Sequence, residues 1–223
     1  NTPSSIRNFD ELETEEKRRE IVLNYLQSNF EACDGKDIAC LAQAVEFALQ
    51  DLLKLAGDCA SQPGRGSRHD VLAFHLVLYH KRIEEEINPF LEEDVLKVTD
   101  NGTLYSLIKL IVRYTQELGN FNAKLPPRKR TASSYMSKLG HLSDLLVHGD
   151  NGTSKTLESV CQNAASRQMR EGFAGTQMHG DGRYYTHSVT DVWESINTTV
   201  SLAVDTKSAA LQFSVLEGAH NAL

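Results

Sequence analysis

Apolar residues recur at helical spacing along most of this chain. The most continuous run lies in Arg68–Val98, where Leu72, Leu76, Tyr79, Ile83 and Ile87 step by three or four. That period lines one side of a helix. Val71, Phe74, Val77 and Leu78 widen the side until the segment reads as a core helix wrapped by neighbours. Pro89 drives Asn88 out of helical backbone, which predicts a break there and a shorter piece through about Val98.

Two helices are predicted ahead of this segment. One spans Asp10 to Glu31, with the charged run ELETEEKRRE giving way to Ile21, Val22, Tyr25, Leu26 and Phe30, and Gly35 stopping it. The next is capped by Asp37, carries Ile38, Leu41, Ala42, Val45, Ala48, Leu49, Leu52 and Leu53, and closes at Gly57. SQPGRGSR then has loop composition.

After the central segment, Asp100–Thr103 reads as a turn capped by its threonine. Leu104, Leu107, Ile108, Ile111, Tyr114 and Leu118 form a further helix ended by Gly119. Residues 119–134, GNFNAKLPPRKRTASS, lack helical periodicity and hold a double proline, so they read as a mobile loop or domain boundary. Tyr135, Leu139, Leu142, Leu145 and Leu146 give a short helix to Gly149, and Leu157, Val160, Cys161, Ala164 and Gln168 another to Gly172. The glycine-rich GFAGTQMHGDGRYY reads as irregular. One long helix from Val189 to Glu217 is expected to finish the chain, with Trp193 as its core anchor. Its β-branched residues leave a short strand over Arg183–His187 as the alternative.

These elements predict an all-α fold: a multi-helix bundle or stacked antiparallel helical hairpins of about seven helices. The organisation expected is a single helical domain over 1–223, with subdivision, if any, at the 119–134 loop.

Composition narrows the function. A formal charge of −7 argues against a protein that coats nucleic acid. No apolar run approaches the roughly 20 residues of a membrane span. The four cysteines form no CxxC, so no thiolate zinc site is predicted. Buried free thiols in a reducing compartment are favoured, although Cys33 and Cys40 flank a turn-like DGKD and could approach each other. Intracellular residence is thereby slightly favoured over secretion. The opening Asn, rather than Met, is compatible with a leader removed upstream. Asn101-Gly-Thr, Asn151-Gly-Thr and Asn197-Thr-Thr are sequons in a number close to chance; in a secreted protein, Asn101 and Asn151 would carry glycans.

Three groups could carry chemistry. His141, Asp144 and His148 fall on one helical stripe, a set of donors able to bind a divalent metal once a fourth ligand arrives. The competing reading is an ordinary surface pair near a helix end. His75 and His80 are five residues apart, so a straight helix points them away from a shared ion and structural hydrogen bonds are expected instead. Lys124, Arg128, Lys129, Arg130 and Lys138 make a basic stretch suited to an acidic partner or phosphate groups, and Ser133 follows Arg130 as a basic-directed phosphorylation site. Nucleotide-binding glycine loops, nucleophile elbows and HExxH are missing. The function expected is therefore a non-enzymatic helical interaction domain binding a protein partner through its surface and the basic loop, with no cofactor. A metal- or histidine-dependent enzyme using His141, Asp144 and His148, a secreted glycoprotein and a nucleic-acid-binding protein are the alternatives.

Overall fold

Glu15–Phe30 opens the helical architecture, and the computed structural model describes residues 15–31, 37–61, 68–150, 152–172, 176–178 and 180–222. Among the described residues there are nine α-helices: α1 (Glu15–Phe30), α2 (Ile38–Ser61), α3 (Arg68–Ile87), α4 (Glu93–Val98), α5 (Asn101–Ala123), α6 (Tyr135–His148), α7 (Thr153–Glu171), α8 (His187–Asp205) and α9 (Ala209–Ala222). Strands β1 (Thr176–Met178) and β2 (Tyr184–Thr186) form one antiparallel hairpin. The fold is all-α. No helix of the described residues is long and apolar enough to cross a membrane.

The chain divides into two compact units. The first takes residues through Val98 together with Arg113–Ser133; the second takes Thr99–Val112 and everything from Ser134 onward. Helix α5 contributes to both.

In the first unit α1, α2 and α3 pack on one another. Val22, Leu26 and Phe30 of α1, Leu41, Val45, Leu49 and Leu52 of α2, and the predicted Leu72–Ile87 stripe of α3 are all buried. Each such side chain contributes roughly 1.5–3 kcal/mol relative to exposure. Asp37 caps α2 as expected, its Oδ1 accepting from the Ala39 N–H at 2.8 Å. Helix α2 does not stop at Gly57 but runs on to Ser61, and Leu53 faces solvent. Helix α3 is not wrapped on all sides, since Val71 and Val77 are exposed. The break at Asn88 is real: Asn88–Leu91 is a 3-10 turn with Pro89 in its first positions, leading into α4. Gly35 and the segment 62–67 lie outside the described residues, as does Asp10.

In the second unit α9 contacts α6, α7 and α8, while α7 also contacts α6 and α8. Leu211, Val215, Gly218 and Ala219 of α9 are buried. A methyl group added at Gly218 would meet Ser154 of α7 and Val147 of α6, so glycine is what lets three helices meet there. Leu104, Leu107, Ile108 and Ile111 of α5 are buried as the periodicity predicts. That helix is capped by Asp100 rather than by Thr103. The carboxylate accepts from the Thr103 N–H at 3.0 Å and its hydroxyl at 2.7 Å. These bonds hold the Asp100 carboxyl below the usual range. Helix α5 passes through Gly119 to Ala123.

The C-terminal region departs most from expectation. Two helices replace one, separated at Thr206–Ser208. The Thr206 hydroxyl donates to the Ala203 carbonyl at 2.7 Å, and Ser208 Oγ accepts from the Leu211 N–H at 3.3 Å to start α9. Lys207 between them has φ 57, a left-handed conformation that stops α8.

Candidate functional site

Structure redistributes the candidate residues. Lys124 lies over the Phe121 ring at 5.7 Å and Lys138, on α6, over the Tyr135 ring at 5.8 Å. Lys129 pairs with Asp70, and Arg130 Nε donates to the Leu125 carbonyl at 3.2 Å. Asn122 brackets Thr131, donating to its carbonyl at 2.6 Å and accepting from its N–H at 2.9 Å. The 119–134 segment is therefore helical to Ala123 and then pinned by its own polar groups, not a free loop. Lys129 is the one member of the set with an ion pair among the described residues, and Arg128 is exposed. Ser133 is half-buried just before α6.

His141, Asp144 and His148 are all exposed along α6. No three His, Cys, Asp or Glu side chains of the described residues come together as a metal site. Asn101 sits in the first turn of α5 rather than in a turn between helices, Asn197 is exposed on α8, and Asn151 lies outside the described residues. Cys161 is a half-buried free thiol, and Cys40 is half-buried in α2. Cys33 and the side chain of Cys59 fall outside the described residues.

Buried polar groups of the first unit make contacts within it. His75 is 2 % exposed, and its Nδ1–H donates to the Val71 carbonyl at 2.8 Å. Burial pushes its imidazole below the ordinary value, partly opposed by that carbonyl. His80 stacks on Tyr114 with ring centroids 5.9 Å apart and shares a hydrogen bond with its hydroxyl, while Nε2 faces Glu84 at 3.4 Å. Burial lowers its pKa too, opposed by Glu84 and the Ala132 backbone. Asp51 is buried between helices and accepts from the Tyr25 hydroxyl. Burial first, and this bond second, push Tyr25 up to about 12.

A different feature stands out in the second unit, where α7, the hairpin and α8 enclose a cleft of about 1070 Å³. Ala164, Ala165 and Gln168 of α7 form one wall, and Val189, Val192, Trp193 and Ile196 of α8 the other. Asp181 and Tyr185 close the hairpin end. Local chemistry holds this wall in place. Thr186 ends β2 and caps α8, accepting from the Val189 N–H at 3.4 Å. In the hairpin turn Asp181 accepts from the Arg183 N–H at 3.0 Å and the Tyr185 hydroxyl at 2.8 Å, with Gly182 at φ 77. Arg167 of α7 clamps Asp191 of α8 at 2.6 Å.

Trp193 is therefore not a core anchor; it is 63 % exposed on the cleft rim. Val189, which also lines the cleft, is exposed as well. The sequence did carry the signal, since Val189, Val192, Trp193 and Ile196 keep helical spacing. Periodicity identifies an apolar face but not what covers it. Comparison with protein-family models, curated proteins and solved structures finds no match to the chain.

Proposed function

We propose that this chain is a non-enzymatic interaction domain that receives apolar side chains of a protein partner in the cleft between α7, the hairpin and α8. The observation that carries the reading is α8 itself. It is 19 residues long and apolar on one face, yet its only fully buried residues are Ser188 and Ala203. Contiguous apolar surface of this kind, rimmed by polar groups, is the usual mark of a binding face. A tryptophan and a tyrosine at a concave site also supply large, stiff contact area, as binding hot spots do.

The basic stretch supports a partner less well, because Lys129 and Arg130 already serve contacts within their own unit. A photo-crosslinking phenylalanine derivative, which keeps an aromatic ring where Trp193 stands, placed at position 193 or at position 128 separates the two surfaces. Position 193 is expected to give one discrete crosslinked product in cell extract that Val189→Asp abolishes. A product from position 128 alone, or from neither, would sink the cleft reading.

A further inference from the structure

Resting on that reading, we infer that the cleft takes a basic amphipathic segment of the partner, its apolar side chains against Val189, Val192 and Trp193 and a neighbouring Lys or Arg directed at Glu194. Charge selects this occupant. The described lining residues include two carboxylates, Asp181 and Glu194, and neither Lys nor Arg. The cations beside the cleft are already engaged. Arg167 holds Asp191 at 2.6 Å and Glu171 at 3.8 Å, and Arg170 lies 3.7 Å from Glu171. Asp181 accepts from Tyr185 and the Arg183 backbone, and the Arg183 side chain bonds the same Tyr185 hydroxyl.

Glu194 is left. It follows Trp193 on α8, is exposed, and its carboxylate makes no hydrogen bond or ion pair among the described residues. A wholly apolar occupant would cover this charge without compensating it, which is costly. An acidic occupant would meet like charge. A cation beside an apolar anchor satisfies the carboxylate and gains attraction from the face of Trp193. An amphipathic helix laid in a groove presents both together.

Trp193 is the single tryptophan of the chain, so its emission reports directly on the cleft. The full chain is titrated with a short amphipathic peptide of Leu and Lys and, separately, with its Leu and Glu counterpart. The Leu/Lys peptide is expected to blue-shift the emission at a concentration roughly 10-fold or more below that needed by Leu/Glu. Glu194→Gln should remove most of that preference, whereas Glu158→Gln, an exposed acid of α7 outside the cleft lining, should leave it. Equal shifts by both peptides overturn the charge inference while the cleft reading survives. No shift with either, together with failed crosslinking from position 193, removes the cleft reading itself. An equal loss in Glu158→Gln would reduce the preference to general attraction by an acidic chain and overturn the inference. A blue shift that grows with protein concentration alone would assign the cleft to a second copy, and so also overturn it.

Discussion

Helices α3 and α8 are 20 and 19 residues long, and both carry an apolar stripe, but they end in opposite situations. Leu72, Leu76, Tyr79, Ile83 and Ile87 of α3 are at most 5 % exposed, and the polar His75 and His80 are buried with them. Along α8 the stripe of Val189, Val192, Trp193 and Ile196 stays exposed or half-exposed. Amphipathic pattern alone thus says that a face will be buried against something. Whether that something is the same chain depends on partners the pattern does not name. Helix α3 finds them in α1 and α2; α8 contacts α7 and α9 and leaves the start of its apolar face open.

The comparison breaks first at the cores. Leu49→Ala and Ile83→Ala delete side chains that are essentially inaccessible, and each should cost about 2–5 kcal/mol in urea unfolding. Losses below about 1 kcal/mol at both would mean that the first unit is not the closed core described. Next comes the buried polar pair. Tyr25→Phe removes a donor to the buried Asp51 carboxylate while Lys54, at 3.7 Å, remains. The expected cost is about 1–3 kcal/mol, and a neutral outcome would show that Asp51 recruits a replacement donor.

A smaller and more diagnostic effect is pH. Burial lowers the pKa of both His75 and His80 from 6.5. Below pH 6.5 the unfolded chain therefore binds more protons than the folded one, so stability is fully present above that value and falls as pH drops. In the second unit His141, His148 and His220 are exposed. Amide exchange measured at about pH 7 and about pH 5, corrected for its intrinsic pH dependence, should accelerate in α3 more than in α9. His75→Gln with His80→Gln should flatten the difference. Equal acceleration in α3 and α9 would refute the assignment.

Much of this was legible in the residues, and the failures share a physical cause. The stripes of α1, α2, α3, α5 and α6 were readable because leucine and isoleucine at helical spacing bury wherever a neighbouring helix is available. Pro89, Gly149 and Gly172 were readable because proline lacks an N–H and a helix end favours glycine. Gly149 N–H bonds the Leu145 carbonyl at 3.0 Å, and Gly172 has φ 59. Gly57 and Gly119 misled, since an exposed glycine costs a helix only about 1 kcal/mol and does not by itself end one. The break at Lys207 was hidden for the converse reason: hydroxyl caps at Thr206 and Ser208 did the work, and a lysine took the left-handed position. The cleft was hidden more deeply, because nothing in a sequence separates a face covered by its own chain from one left for a partner.

The smallest expected effect on folding bears hardest on that last distinction. Trp193→Ser removes the largest side chain of α8, and a core tryptophan truncated this way would cost about 3–5 kcal/mol. On the cleft rim, at 63 % exposure, the same change should alter urea stability by no more than about 0.5 kcal/mol. It should also leave the exchange of α9 amides untouched while abolishing binding of the Leu/Lys peptide, read by calorimetry because the emitting side chain is gone. A large loss of stability would return Trp193 to the core and make α8 the counterpart of α3. A neutral substitution that costs binding would mean that the two helices solve the same apolar pattern differently, one by folding and the other by association.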